Sequence, residues 1–172
     1  MGVMPAGKVH TLVNVTLLGS AWLLHLAFRT PTVPLNEALL FSATYLAGTY
    51  LMTPDLDLAA GHVDAKTNWG PLGFLWVPFG MLSKHRGRNH SWFFGPAVRL
   101  LYLAALLAPL LYLLRLLAVQ LVGEGAVLHW QDTLRSTGVP LSTLMALRLG
   151  YFVSQWIHLI LDGEFPWAPG RL

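Results

Sequence analysis

From Ala97 to Val122 the chain carries no acidic side chain, and its only charges are Arg99 and Arg115. The hydrocarbon of a bilayer is about 30 Å thick, and about 20 apolar residues of helix cross it. This stretch exceeds that length. A helix that is apolar all round has no polar face to turn to water, so it belongs inside a large core or inside lipid. A single small domain offers no core of that size. Pro109 within the run is compatible with a membrane helix, where neighbouring groups satisfy the freed carbonyl.

The remaining runs follow from this one. Val9–Phe28 is apolar and long enough to span. It lacks the small-residue cleavage site of a signal peptide, and His10, Asn14 and His25 are foreign to such a segment. Arg29 to Pro34 reads as a turn, because proline fixes φ and removes a donor. Residues 36–53 form a second apolar helix that Thr53-Pro54 stops. Residues 69–82 are apolar and aromatic but broken by Gly70-Pro71, Gly73, Pro78 and Gly80, so they read as an interfacial or re-entrant segment. Trp69 and Trp76 suit the headgroup level. Residues 123–140 read as a polar loop, 141–161 as a fourth span, and the rest as a Pro- and Gly-rich tail. Hydrophobic residues are 55% of the chain and charged ones 11%, and the mean hydropathy is +0.55. The fold class expected is all-α: an integral membrane helical bundle of about four transmembrane helices. Its spans fall near 9–28, 36–53, 97–122 and 141–161, within a single membrane domain over residues 1–172.

Composition removes several functions. There is no cysteine, hence no disulfide, thiolate metal site or cysteine nucleophile. The formal charge of +3 is small, and the basic residues sit beside apolar runs. That placement suits lipid headgroups and gives no sign of nucleic acid. Ser91 follows His90 but lacks the elbow motif of a serine hydrolase.

Chemistry enters through topology. If four helices alternate in direction, one membrane face receives the start of the first helix, the end of the second, the loop before the third and the end of the fourth. Those places hold His10, then Asp55 and Asp57, then His85 and His90, then His158 and Asp162. Histidine binds metals through neutral imidazole, and carboxylates complete such sets. On the last helix Arg148, Tyr151, Gln155, His158 and Asp162 recur at steps of three and four, which makes one polar stripe. An ionisable group in hydrocarbon costs about 2.5–3.5 kcal/mol on insertion scales, so the stripe should face inward. His158 and Asp162 lie one turn apart and can reach one ion. The ligand types suit zinc or manganese, and their number fits one or two ions.

Each group alone has a plainer reading. Asp55 and Asp57 after a proline make a helix stop. His10 can be an interfacial residue, and Lys84 to Ser91 a basic headgroup loop. His158 with Asp162 can be a buried structural pair. Their arrival at one face from four segments favours the metal site. His25 and His129 fall on the other side without a pattern. His62 and Asp64 share the site's side, also unpatterned.

The order of these motifs resembles a known group. An N-terminal histidine, Pro-Asp-Leu-Asp, His-Arg-Gly-x-x-His-Ser and a late His-x-x-x-Asp among apolar helices are similar to the YdjM-type membrane-bound metal-dependent hydrolases. Trp69-Gly70-Pro71-Leu72 and Arg99 to Leu103 resemble more closely a related family of metal-binding proteins of unknown function. Asn89 stands where the YdjM pattern usually has threonine, and the tail lacks that group's Thr-Pro-x-Gly run. The resemblance implies that His10, Asp55, Asp57, His85, His90, His158 and Asp162 form the metal or catalytic set. The function expected is metal-dependent hydrolysis of a lipid or headgroup ester at the membrane surface. Asp55 or Asp57 would be the general base, and Arg86 and Arg88 would hold a phosphate oxygen. The alternative is a metal-binding membrane protein without catalysis, a sensor or transport component. Transport is disfavoured because the polar groups gather at one face and not at the bilayer midplane.

Orientation follows from the basic residues. Lys8, Lys66, Lys84, Arg86, Arg88, Arg99 and Arg171 fall toward the site's side, whereas Arg29, Arg115, Arg135 and Arg148 fall toward the other. The excess places the site at the cytoplasmic face of the cell's inner membrane. A C-terminal reporter active only outside the cytoplasm should stay silent in cells; a strong signal would reverse the assignment.

Overall fold

The computed structural model describes residues 7–28, 33–58, 63–83 and 90–166. These are mostly helical, with no strand among them. In order they are α1 (Gly7–Phe28), α2 (Leu35–Tyr50), a tight 3-10 turn at Pro54–Asp57, α3 (Asp64–Asn68), a 3-10 segment at Gly70–Trp76, α4 (Val77–Leu82), α5 (Phe94–Val122), α6 (Glu124–Thr137) and α7 (Leu141–Leu161).

Three helices, α1, α5 and α7, are long and apolar enough to cross a membrane. The second expected span is shorter than its apolar pattern. Helix α2 has 16 residues, about 24 Å at 1.5 Å per residue. It ends at Tyr50 because Pro54 cannot continue it and residues 51–53 already leave the helical path. Residues 123–140 are not a loop. Most of them form α6, where Val127, Trp130 and Leu134 recur at helical spacing. Trp130 and Leu134 are exposed, while Val127 is buried.

The packing is inverted relative to a water-soluble bundle. The only residues that α1 buries are His10 and Asn14, while Leu12, Leu23, Leu24 and Leu26 face outward. On α5 the buried positions are Gly95, Pro96 and Arg99, and nearly all its leucines are outside. Buried polar groups are tolerated when they find polar partners, and each of these has at least one. The Arg99 guanidinium donates to Gln155 Oε1 at 2.9 Å, and Gln155 Nε2 donates to the Gly48 carbonyl at 3.1 Å. Tyr45 donates from its hydroxyl to the Asn14 carbonyl at 3.1 Å. Polar contacts therefore tie α1, α2, α5 and α7 together from within.

Helices α2 and α7 form the tightest pair. A side chain at Gly150 would run into the Phe41 backbone carbonyl, and one at Gly48 into the Ser154 hydroxyl. Small residues at these positions let the two backbones approach, as they do in membrane helix pairs. The apolar core sits at one end of this pair. It contains Met52, Leu56, Val63, Ala65, Trp76, Phe79 and Tyr151. The segment at 69–82 folds over that end. Its Trp76 is buried, packed against Phe79 and Tyr102, so it serves the core and not a headgroup belt. Trp69 donates its indole N–H to the Leu51 carbonyl at 2.8 Å. Leu72, Phe74, Met81 and Leu82 of the same segment point outward.

The two glycines should differ in tolerance. Gly150→Ala meets a backbone carbonyl that cannot step aside, at a cost of about 1–3 kcal/mol. Gly48→Ala meets a side-chain hydroxyl that can rotate, at a smaller cost. Thermal unfolding in detergent should rank Gly150→Ala well below Gly48→Ala. Equal midpoints would contradict the close approach at Phe41.

Candidate metal centre

The site lies where the core end of the bundle meets the end of α7. Asp162 immediately follows that helix, and its backbone N–H donates to the His158 carbonyl at 3.1 Å. A carboxylate is unfavourable there, because the last carbonyls already give a helix C-terminus negative character. Three imidazoles compensate. Asp162 Oδ2 lies 3.1 Å from His90 Nε2 and 3.4 Å from His158 Nε2, and Oδ1 lies 3.5 Å from His10 Nε2. The rings of His10 and His158 also touch, with centroids 4.0 Å apart.

The Pro-Asp-Leu-Asp turn supplies two more carboxylates in different directions. A 3-10 turn has about three residues per turn, so side chains two apart diverge. Leu56 between them is fully buried and anchors the turn in the core. Asp55 Oδ2 reaches His158 Nε2 at 3.4 Å, and Asp57 Oδ2 reaches His90 Nδ1 at 3.3 Å. His90 is held just ahead of α5. There Ser91 Oγ accepts the Gly95 N–H at 3.1 Å, satisfying one of the open donors of the first turn. Ser91 thus has a structural task.

Of the residues expected from sequence, His10, Asp55, Asp57, His90, His158 and Asp162 come together. His85, Arg86 and Arg88 lie outside the described residues, as does His62. Tyr151, Gln155 and His158 of the α7 stripe are buried, but Arg148 is exposed. It lies two residues before Gly150, where α7 packs on α2, yet its side chain is exposed. Arg99 is the residue that ligand spacing did not single out. It is fully buried beneath the site and is joined to it through Gln155, one turn before His158. Its sequence signals are a cation in a run without acids and its place at the head of the Arg99 to Leu103 stretch that carries the family resemblance.

One donor atom each from Asp55, His90, His158 and Asp162 fall within 4.8 Å of one another. Ligands about 2.1 Å from a common ion lie about 3.4 Å apart in tetrahedral geometry. Three of the six pairs among these donors, all of them histidine to carboxylate, lie 3.1 to 3.4 Å apart. His158 Nε2 is buried and makes no hydrogen bond, although it faces two carboxylates. A nitrogen between two carboxylates is placed to share an ion with them. The donor set therefore fits a divalent metal.

Electrostatics keep the centre paired in the metal-free protein. Burial pulls the His90 imidazole down, but its contacts with Asp162 and Asp57 outweigh that and raise its pKa to about 9. Burial opposes charge on Asp162 and Asp55 as well. His158 and His90 overcome it at Asp162, and chiefly His158 at Asp55, holding both carboxyls below their usual range.

Fold and site together define an all-helical metal-binding protein with three helices fit to cross a membrane. The chain belongs to the family described as uncharacterized metal-binding protein (DUF2227), which it matches over residues 5–169. It is also similar to an uncharacterized protein of Aquifex aeolicus (strain VF5), 42% identical over 71 residues. That match covers 41% of this chain and 49% of the other, so the chain spans about half the length of the curated relative it matches. No solved structure matches.

The pH dependence of the metal-free protein follows from these shifts. The raised His90 pKa contributes stability that is complete below about pH 6.5 and lost as pH rises through about 9. The lowered carboxyl pKa values contribute stability present above about pH 4 and lost in acid. With a chelator present, thermal stability should be highest at about pH 4–6.5 and fall by on the order of 3 kcal/mol toward pH 10. His90→Gln should flatten the alkaline fall. An unchanged alkaline limb would show that His90 is not charged.

Proposed function

We propose that this chain is a membrane-embedded metal protein whose centre hydrolyses an ester in a lipid or its headgroup. The observation that carries the reading is the unequal exposure of the four donors. The side chains of His90, His158 and Asp162 are 1%, 5% and 9% exposed, whereas that of Asp55 is 25% exposed. Catalytic sites keep three protein ligands and one open position, while structural sites are closed. His90, His158 and Asp162 would hold the ion, and Asp55 would stand at the open side. A divalent ion there supplies a lowered water pKa and polarises a phosphoryl or carbonyl oxygen. Asp55 accepts the proton as general base. Arg86 and Arg88, next to His85 in sequence, bind the phosphate oxygens and stabilise developing charge. The likeness of the motifs to the YdjM-type hydrolases supports the same reading.

The outward leucines of α1, α5 and α7 support lipid as the surrounding medium, and a lipid substrate needs no separate route to the site. The excess of basic residues on the site's side supports the cytoplasmic face of the inner membrane. Zinc and manganese suit the mixed imidazole and carboxylate donors.

Asp55 also supports a second reading. As a fourth ligand it would close the set, and the protein would bind metal without catalysis, as a sensor or transport component. One pair of variants separates the two. His158→Ala should lose metal in either case. Asp55→Asn should keep most of the metal in the hydrolase and lower the rate by roughly 10²–10⁴-fold. Elemental analysis and turnover of phosphoester, carboxylester and amide probes in lipid provide the readout. Metal lost with Asp55→Asn, together with no turnover by the parent protein, would establish the closed site. Absence of any metal after gentle purification, and no thermal shift on adding zinc or manganese, would sink both readings.

A further inference from the structure

We infer that Asp57 is neither a ligand nor a base but the residue that orients His90 toward the metal. The inference rests on the metal-binding reading and is independent of hydrolysis.

The constraint is the geometry of the imidazole ring. Its two nitrogens direct their lone pairs away from each other, so one ring cannot give both to one ion. In His90 the two sides are occupied differently. Nε2 faces Asp162 Oδ2 at 3.1 Å, and that same oxygen lies 3.4 Å from His158 Nε2. Nε2 is therefore on the side where the donors converge. Nδ1 faces Asp57 Oδ2 at 3.3 Å on the opposite edge. Asp57 lies across the ring from the convergence point, and it is absent from the four residues whose donor atoms cluster.

Burial points the same way. The Asp57 side chain is 0% exposed and that of His90 only 1%. A base must meet the proton it removes, and a carboxylate so buried is poorly placed to do so. Its position is also fixed by the chain: the adjoining Leu56 is locked in the core, and a 3-10 turn leaves little freedom. The carboxylate thus keeps Nδ1–H protonated, frees Nε2 for the ion and makes that nitrogen a better donor. Orienting carboxylates of this kind typically matter 10–100-fold in metal affinity.

The test uses the full chain in detergent with cobalt(II) or zinc alone as the probe. Asp57→Asn should weaken cobalt binding about 10–100-fold while keeping the parent stoichiometry. In the zinc-loaded parent, with ¹⁵N-labelled histidine, one Nδ1–H resonance should be shifted downfield by its carboxylate partner. That resonance should be lost in Asp57→Asn, and a purely structural role would leave it in place. Asp57→Glu retains an acceptor and should recover affinity to within about tenfold of the parent, which also covers the case in which Asp57→Asn fails to fold. Unchanged cobalt affinity in Asp57→Asn would overturn the inference. So would abolition of binding as complete as in His158→Ala, which would make Asp57 a ligand, or a Glu variant as weak as the Asn variant. If the parent itself binds neither metal, the metal-binding reading fails and the inference falls with it. If the parent binds and only the Asp57 variants behave otherwise than expected, the inference alone fails.

Discussion

A negative charge at the negative end of a helix is the contact on which the rest of the molecule depends. Asp162 could not sit after α7 without positive or metal-like partners, because the local dipole and the low dielectric both oppose it. Its partners come from α1, from the turn before α5 and from α7 itself, so three segments are drawn to one point. Asp55 and Asp57 then approach those same imidazoles from the turn after α2. At this end of the bundle charge and hydrogen bonds join the apolar core, while along the flanks most large apolar side chains face outward.

That division explains why much of the fold was legible in the sequence. Apolar runs free of acid mark α1, α5 and α7 without reference to partners. In a bundle with outward leucines, the few polar residues are the informative ones, and counting them along alternating helices brought His10, Asp55, Asp57, His90, His158 and Asp162 to one face. Tyr151 and Gln155 follow from helical spacing alone. Spacing stops being a guide at Arg148, which continues the stripe by periodicity but is exposed.

Other features depend on neighbours that a sequence does not display. The apolar run of α2 reads as a slightly short span, and the backbone shortens it further by turning off before Pro54. Residues 123–140 are polar enough to read as a loop, yet Val127, Trp130 and Leu134 fall at helical spacing there. Trp76 has the composition of an interfacial tryptophan, but the space beneath it is filled by Phe79 and Tyr102, which makes it core. The roles within the Pro-Asp-Leu-Asp turn were also hidden. Two carboxylates separated by one residue look equivalent in sequence, and only the turn's geometry sends one toward His158 and the other toward the far edge of His90. Arg99 carried a charge signal without an address until Gln155 was seen to receive it.

The order of the ligands along the chain has a consequence for biogenesis. His10 emerges first from the ribosome, the Asp55 and Asp57 turn next, then His90, and His158 and Asp162 last. Domains fold largely in the order of synthesis, but this centre lacks its hub until α7 has been made. An ion captured before then would find only scattered single donors. The centre is therefore completed only by the last helix, which carries His158 and leads into Asp162, so a chain cut short before α7 would hold no more than half of the four clustered donors.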